Sequence, residues 1–327
     1  MPTSVPRPPD ASPDSDLISV RVTERRSLTE RVDEFTVSTT DTSALPDWAA
    51  GSHIDVHTPG GAIRQYSLLP QTTDTASYRV AVDRRDAGRG GSISLHRDVS
   101  IGTTLRISQP RNHFALTRAL RYVFVAGGIG ITPILSLVEQ AEHLNRPWSL
   151  IYLGPHRTLM PYADELADRY GDRVVTHTSA TSGRTDISRH LAGLEPGTAV
   201  YTCGPDSLLT DVEIACTPQH AVDAFAERFV AADREPARDE PFEVSLALSG
   251  RTVEVPAGRS ILDVLDDAGI VTVSSCREGV CGTCEAEVVS GEVEHRDSVL
   301  TPAERAENET MMVCVSRCTS GRLVLDL

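Results

Sequence analysis

Ser274-Ser275-Cys276-Arg277-Glu278-Gly279-Val280-Cys281-Gly282-Thr283-Cys284, followed after 29 residues by Cys314, is the most informative stretch of this 327-residue chain. The cysteines read C-x4-C-x2-C…C, the spacing with which four thiolates hold the two irons of a plant-type [2Fe–2S] cluster. The small residues and glycines around them let backbone N–H groups turn inward and hydrogen-bond the cluster sulfurs, which tunes the potential. Zinc is the main alternative, but zinc sites usually pair two C-x2-C units or add histidines, and only one such unit is present. A chain with this stretch moves single electrons.

Outward from that stretch, composition narrows the class. The length suits about two or three domains, and 40% hydrophobic residues supply several cores. A net charge of −15 opposes nucleic-acid binding, which needs a basic surface. No apolar run is long enough for a membrane helix. Residues 1–16, rich in Pro, Ser and Asp, lack the apolar core of a secretory signal and are expected to form a disordered leader. Seven cysteines, four in a cluster pattern, suit a reducing cytoplasm better than a disulfide framework. All 31 basic residues are arginine.

Three folded segments are expected. Residues 17–116 carry short alternating runs, such as Leu17 to Val22, His53 to Val56 and Tyr78 to Val82, separated by turn residues. That pattern predicts a small antiparallel barrel. Residues 117–230 alternate strands (Tyr122 to Ala126, Ser149 to Leu153, Ala199 to Cys203) with helical spacing, which predicts a parallel α/β sheet. Residues 231–241 are charged, contain two prolines, and read as a linker. Residues 242–327 hold the cysteines, with a hairpin turning at Ser249-Gly250, a helix over Ser260 to Ala268 and a terminal strand at Leu323 to Leu325.

Two motifs in the barrel segment carry chemistry. In Arg64-Gln65-Tyr66-Ser67 an arginine can neutralise a phosphate, a ring can cover a flat heterocycle and a hydroxyl can bond its edge. In Gly88-Arg89-Gly90-Gly91-Ser92-Ile93-Ser94 the glycines free N–H groups for an anion at the start of a helix. Alone, the first reads more readily as core packing and the second as a Gly-rich turn. In the α/β segment Gly127-Gly128-Ile129-Gly130-Ile131-Thr132-Pro133 links the first strand to the first helix, where open sheets bind nucleotides. It is not G-x-G-x-x-G, which disfavours a plain dinucleotide dehydrogenase. Cys203-Gly204-Pro205 follows a later strand and reaches the same edge, either as a thiol against a nicotinamide or as a buried structural cysteine.

These five motifs, in this order, resemble the phthalate dioxygenase reductase family, to which the vanillate O-demethylase reductase subunits belong. The resemblance covers nearly everything after Leu17. It implies an antiparallel β-barrel binding FMN, an α/β parallel-sheet domain binding NADH, and an α+β, β-grasp plant-type ferredoxin domain with a [2Fe–2S] cluster. Carried over, Arg64, Gln65, Tyr66 and Ser67 contact the flavin, and Gly88, Arg89, Gly90, Gly91, Ser92 and Ser94 its phosphate. Gly127, Gly128, Gly130, Thr132, Cys203, Gly204 and Pro205 form the nicotinamide side. Cys276, Cys281, Cys284 and Cys314 hold the cluster, whereas Cys216 and Cys318 match no ligand position. The family's F-E-R-F segment, which places an aromatic over the flavin, corresponds to Ala226-Glu227-Arg228-Phe229. Phe229 is therefore the match and the first aromatic is missing, although Phe225 is near. Ser67, Thr132, Cys203 and Phe229 form the expected catalytic set.

The resemblance implies a cytoplasmic, monomeric reductase. A flavin accepts two electrons from NADH and releases them singly to the cluster, while the protein aligns the rings and excludes oxygen. The implied partner is a Rieske-type terminal oxygenase acting on an aromatic compound, with a cytochrome P450 as the alternative acceptor. A bare electron carrier and a self-contained flavin oxidoreductase are the competing classes. NADH rather than NADPH rests on resemblance alone, since only His156-Arg157 offers a cation for a 2′-phosphate.

Overall fold

The computed structural model describes residues 17–70, 76–86, 90–219, 221–229 and 239–327. The expected leader, most of the expected linker, and Gly88 and Arg89 lie outside these residues. No helix among them is long and apolar enough to cross a membrane.

The first module contains β1 (Ile18–Ser27), β2 (Val32–Thr39), β3 (Ser52–His57), β4 (Ile63–Ser67), β5 (Ser77–Asp83), β6 (Thr104–Ile107) and β7 (Arg111–Asn112). They pair antiparallel in the order β4-β3-β6-β1-β2-β5, with β7 added to β3. The sheet curls until its ends meet, where Leu69 N–H donates to the Arg79 carbonyl at 2.9 Å. Alternate residues such as Val20, Val22, Ile54, Val56, Val80 and Val82 point inward and fill the barrel. Helix α1 (Gly91–Asp98) covers one mouth and buries Leu95 in that core.

The second module places β8 (Arg121–Gly127), β9 (Trp148–Gly154), β10 (Val174–Thr178), β11 (Thr198–Cys203) and β12 (Val222–Glu227) in the parallel order β10-β9-β8-β11-β12. Helices α2 (Ile131–His143), α3 (Ala163–Tyr170), α4 (Ser179–Ser182), α5 (Ile187–His190) and α6 (Asp206–Cys216) follow the strands. Central β8 and β11 are buried on both faces and read as continuous apolar runs. Strand order reverses between β8 and β11, so the crevice beyond their C-terminal ends is the natural ligand site. There the two glycine loops touch. A Cβ on Gly130 would lie 2.3 Å from the Cys203 carbonyl oxygen, so only glycine permits the contact.

The third module consists of β13 (Phe242–Leu246), β14 (Thr252–Val255), α7 (Ile261–Asp267), β15 (Glu285–Ser290), β16 (Val293–Glu294), α8 (Pro302–Glu307), β17 (Thr310–Met312), β18 (Arg317–Cys318) and β19 (Arg322–Leu325). The sheet order is β14-β13-β19-β15-β17, with β13 and β19 parallel. Helix α7, capped where Ser260 Oγ accepts from Asp263 N–H, lays Ile261, Leu262 and Leu265 into the core, giving the β-grasp form. The expected hairpin, helix and terminal strand are all present. Asp239 ion-pairs with Arg296 at 2.6 Å and with Arg317, and Arg317 donates to the Glu240 carbonyl, which ties 239–241 to this module.

Candidate functional site

Strand β4 presents its motif to a cavity of about 440 Å³ lying between the barrel and the nucleotide crevice. Arg64, Gln65, Tyr66 and Ser67 line one wall, and Gly91 and Ser92 line the end beside α1. Ile129, Thr132 and Phe229 come from the second module, and Glu278 comes from the third. A smaller chamber of about 120 Å³ continues from it, shares Arg64 to Ser67 and Phe229, and adds His53, His113, Glu227 and Cys276. All three modules thus meet around one hollow.

Within it the polar groups divide into engaged and open ones. The Arg64 side chain passes over Gly91, at the start of α1. Gln65 donates to Asp55 at 3.1 Å. Burial raises the Tyr66 phenol above its ordinary range, so it stays protonated. Ser67 Oγ is buried without a partner among the described residues, a donor or acceptor open to a ligand. Ser92 Oγ accepts from Arg85 N–H at 3.1 Å. Ser94, expected on a phosphate, is turned away: its hydroxyl accepts from Gly60 N–H at 2.9 Å and donates to Asp98 at 3.0 Å.

On the nucleotide side Thr132 is buried and donates to the Ile129 carbonyl at 3.0 Å. Gly127, Gly128, Gly130, Cys203, Gly204 and Pro205 shape the two touching loops but line neither chamber. Cys203 is wholly buried, and desolvation, reinforced by Glu227, pushes its thiol well up. Phe229 opens on both chambers, whereas Phe225 stacks on Tyr201 at 4.7 Å inside the second module.

Residue spacing did not single out four residues that the fold brings here. Glu227, opposite Cys203 on β12, is pushed up to about 8 by burial, so its carboxyl is protonated at neutral pH and can act as a donor. His53 is lowered to about 4 by burial and by Arg111, and is neutral. His113 and Glu278 complete the wall. The alternation of a neutral carboxyl on an edge strand is visible only once burial is known.

The four cysteines form two pairs. Cys276 and Cys281 share a hydrogen bond, as do Cys284 and Cys314. In each pair one thiol is drawn down by its partner, Cys281 by Cys276 and Cys284 by Cys314. Among the described residues no three ligating side chains converge on one point, which a single zinc requires. Two pairs suit two irons with two thiolates each. The surroundings fit as well: Glu278 N–H points at Cys276 Sγ (3.3 Å) and Thr283 N–H at Cys281 Sγ (3.5 Å). Ser275 Oγ and Thr283 Oγ1 are buried without a partner among the described residues, free to bond cluster sulfurs. Cys318 lies on β18 against Ser320, away from either pair.

A barrel, a parallel-sheet nucleotide module and a cysteine-bearing β-grasp domain around one hollow define a modular electron-transfer oxidoreductase. Comparison with known proteins makes this particular. Residues 245–319 match the 2Fe-2S iron-sulfur cluster binding domain, and residues 108–223 match the N-terminal domain of dimethylamine monooxygenase subunit DmmA-like proteins. The carnitine monooxygenase reductase subunit of Escherichia coli K12 is 39% identical over 96% of this chain and 99% of its own. The solved phthalate dioxygenase reductase, described as a modular structure for electron transfer from pyridine nucleotides to [2Fe-2S], is 36% identical, with a TM-score of 0.70 over 97% of this chain and all of that one. An intact type IV self-sufficient cytochrome P450 monooxygenase is 39% identical, with a TM-score of 0.88 over 95% of this chain, which spans only 41% of that polypeptide. The chain belongs to the phthalate dioxygenase reductase family, the reductase subunits of oxygenase systems.

Proposed function

We propose that this chain takes electrons from NADH through FMN to a [2Fe–2S] cluster and delivers them to a separate terminal oxygenase. The single observation that carries the reading is the hollow walled by Tyr66 and Ser67 of the barrel, Thr132 and Phe229 of the nucleotide module, and Cys276 and Glu278 of the cluster module. Such a meeting of three modules serves no bare electron carrier and no enzyme that keeps its electrons.

FMN, when bound, supplies the exchange between two-electron and one-electron chemistry. The residues have assigned tasks. Arg64 and the N-terminal amides of α1 at Gly91 and Ser92 hold the phosphate. Tyr66 covers the ring system and Ser67 offers its open hydroxyl to the ring edge. Phe229, which opens on both chambers, would supply an aromatic ring against a bound flavin, and the loop carrying Gly128 and Thr132 would hold a nicotinamide. Glu227 holds a proton close to the exchange site, and buried Cys203 packs behind it. Cys276 and Cys281 bind one iron, and Cys284 and Cys314 the other.

The acceptor favoured here is a Rieske-type oxygenase acting on an aromatic compound, because the likeness to phthalate dioxygenase reductase runs over 97% of this chain and the whole of that one. The likeness to the reductase part of a self-sufficient P450 supports a haem oxygenase as the second reading. Acid release and chromatography identify the flavin: FMN is expected, and FAD overturns the assignment. Turnover of the purified chain with NADH and a purified Rieske oxygenase, against a P450, decides the acceptor. Oxidation of an organic substrate with neither protein present would overturn the reductase reading itself.

A further inference from the structure

The cluster module stands on the barrel through a contact that none of the motifs announces. Strand β7 pairs with β3 in the register Ser52↔Asn112 and His53↔Arg111, and His113, the first residue beyond β7, comes to lie beside His53. The two imidazoles stack with centroids 5.9 Å apart and planes 26° from parallel. His53 lies opposite Ser67 across the β3–β4 ladder and is buried, with Nε2 unpartnered among the described residues. The loop that carries His113 is stiffened by Asn112, whose side chain accepts from Phe114 N–H and donates to the Ala50 carbonyl, both at 2.9 Å.

On its far side His113 rests on Gly282, between Cys281 and Cys284. A Cβ built there would lie 2.7 Å from Nε2 and 2.8 Å from Cε1, and the glycine sits at φ +71°. No side chain fits between the ring and the cluster loop. To either side the modules draw apart into clefts of about 600 and 800 Å³.

We propose that the stacked pair His53–His113 is the seat that holds the cluster loop at a fixed separation from the flavin pocket. Both are positioning residues, and the proposal rests on the reading that the hollow holds flavin and the cysteines hold the cluster. Each transfer moves one electron from reduced flavin to oxidised cluster, two per NADH, with no bond made or broken at either ring. Held rigidly, the loop keeps Cys276 on the chamber wall that it shares with Ser67. Released, it samples longer separations.

The test uses the full chain loaded with both cofactors, mixed with NADH in a stopped-flow instrument that follows flavin and cluster bleaching separately. His113→Ala should slow cluster bleaching by about tenfold or more, the scale at which small misplacements act, and cytochrome c reduction should fall with it. NADH-to-ferricyanide turnover, which draws on the flavin directly, should fall far less than cluster bleaching does, although His113 lines the smaller chamber. Amide exchange at 279–283 should rise in the same variant. His113→Gln, whose flat amide reaches as far as the imidazole, should restore most of the rate and the protection. His53→Ala, which removes the support without touching the loop, should slow cluster bleaching as well, and it decides the matter if His113→Ala fails to load. A loaded wild type matched by the alanine variants in rate and exchange overturns the seat alone. So does a glutamine variant no better than alanine. A wild type that takes up no cluster overturns the underlying reading and the seat with it.

Discussion

Where the barrel meets the nucleotide module, Glu34 on β2 accepts from Tyr162 at 2.7 Å and pairs with Arg79 at 2.8 Å and with Arg26, which also reaches Glu165. Val32, Leu69, Ala81 and Phe114 of the barrel join Phe124, Leu150 and Tyr201 of the second module in one continuous apolar core. Where the barrel meets the cluster module, the third domain keeps a core of its own, and the crossing runs through stacked imidazoles, a glycine and cavity walls. The first seam is a fused core and the second a set of supports. The difference follows the chemistry. Passing two electrons between rings demands near-contact alignment, which shared packing enforces. Passing one electron to a cluster tolerates a module that folds by itself and rests in place, as inter-domain contacts commonly do.

The hardest test of that contrast lies inside the supported module. Cys314→Ala should abolish the visible absorption and EPR signal of the cluster, while Cys318→Ala should keep both. A signal lost only in the Cys318 variant would reverse their roles. Next comes removal of the module. A chain ended at Arg238, just before Asp239 engages Arg296, should retain flavin and NADH-dependent ferricyanide reduction yet lose cytochrome c reduction. Failure to bind flavin would mean the Cys276 and Glu278 walls are part of that site and the second seam is fused after all.

The fused seam is tested at Glu34. Glu34→Ala leaves the Tyr162 hydroxyl and Arg79 without their carboxylate and should cost about 3 kcal/mol, read from denaturant unfolding. Although burial opposes ionisation, the Tyr162 and Arg79 hydrogen bonds hold this carboxyl below its ordinary range. Its stabilising share is therefore complete above the unfolded glutamate range and vanishes as pH falls through the lower folded value. An alanine variant as stable as the parent would dissolve the distinction between the seams.

Glu227, where both seams meet the hollow, should behave in the opposite sense. Burial raises it to about 8, so the folded carboxyl keeps a proton that the unfolded one loses above the ordinary glutamate range. Stability should fall by about 1 kcal/mol per pH unit as pH rises from roughly 5 to 8, and Glu227→Gln should remove that slope. Parallel curves for the two proteins would place Glu227 in contact with water. The smallest effect concerns the net charge of the supported module, whose residues 241–327 carry 15 acidic side chains and 7 arginines, a surplus of 8. Electron delivery to the oxygenase should slow as ionic strength rises while ferricyanide turnover changes little. A flat salt response would point to an apolar dock.

The strands the sequence revealed are those buried on both faces or strictly alternating, such as β8, β9 and β11. Strand β10 and strand β12, with its Val-Asp-Ala-Phe-Ala-Glu run, escaped notice because edge positions leave alternate polar residues exposed. Phe225 and Phe229 could not be separated by spacing, since their difference is one of direction: one faces Tyr201 and the other the hollow. Ser94 looked like a phosphate group because it follows the glycines, but one further turn along α1 carries it to Gly60 and Asp98.

Taken alone, the sequence determined three modules, their order and the family, because motif spacing and glycine loops are local constraints written in consecutive residues. Only the tertiary structure decided that the thiols form two pairs, that burial of its carboxyl pushes Glu227 up, and that His53 and His113 stand between barrel and cluster loop. Apart from the Cys276–Cys281 pair, these arise from residues tens of positions or more apart, brought together by strand pairing and desolvation, which no local pattern records.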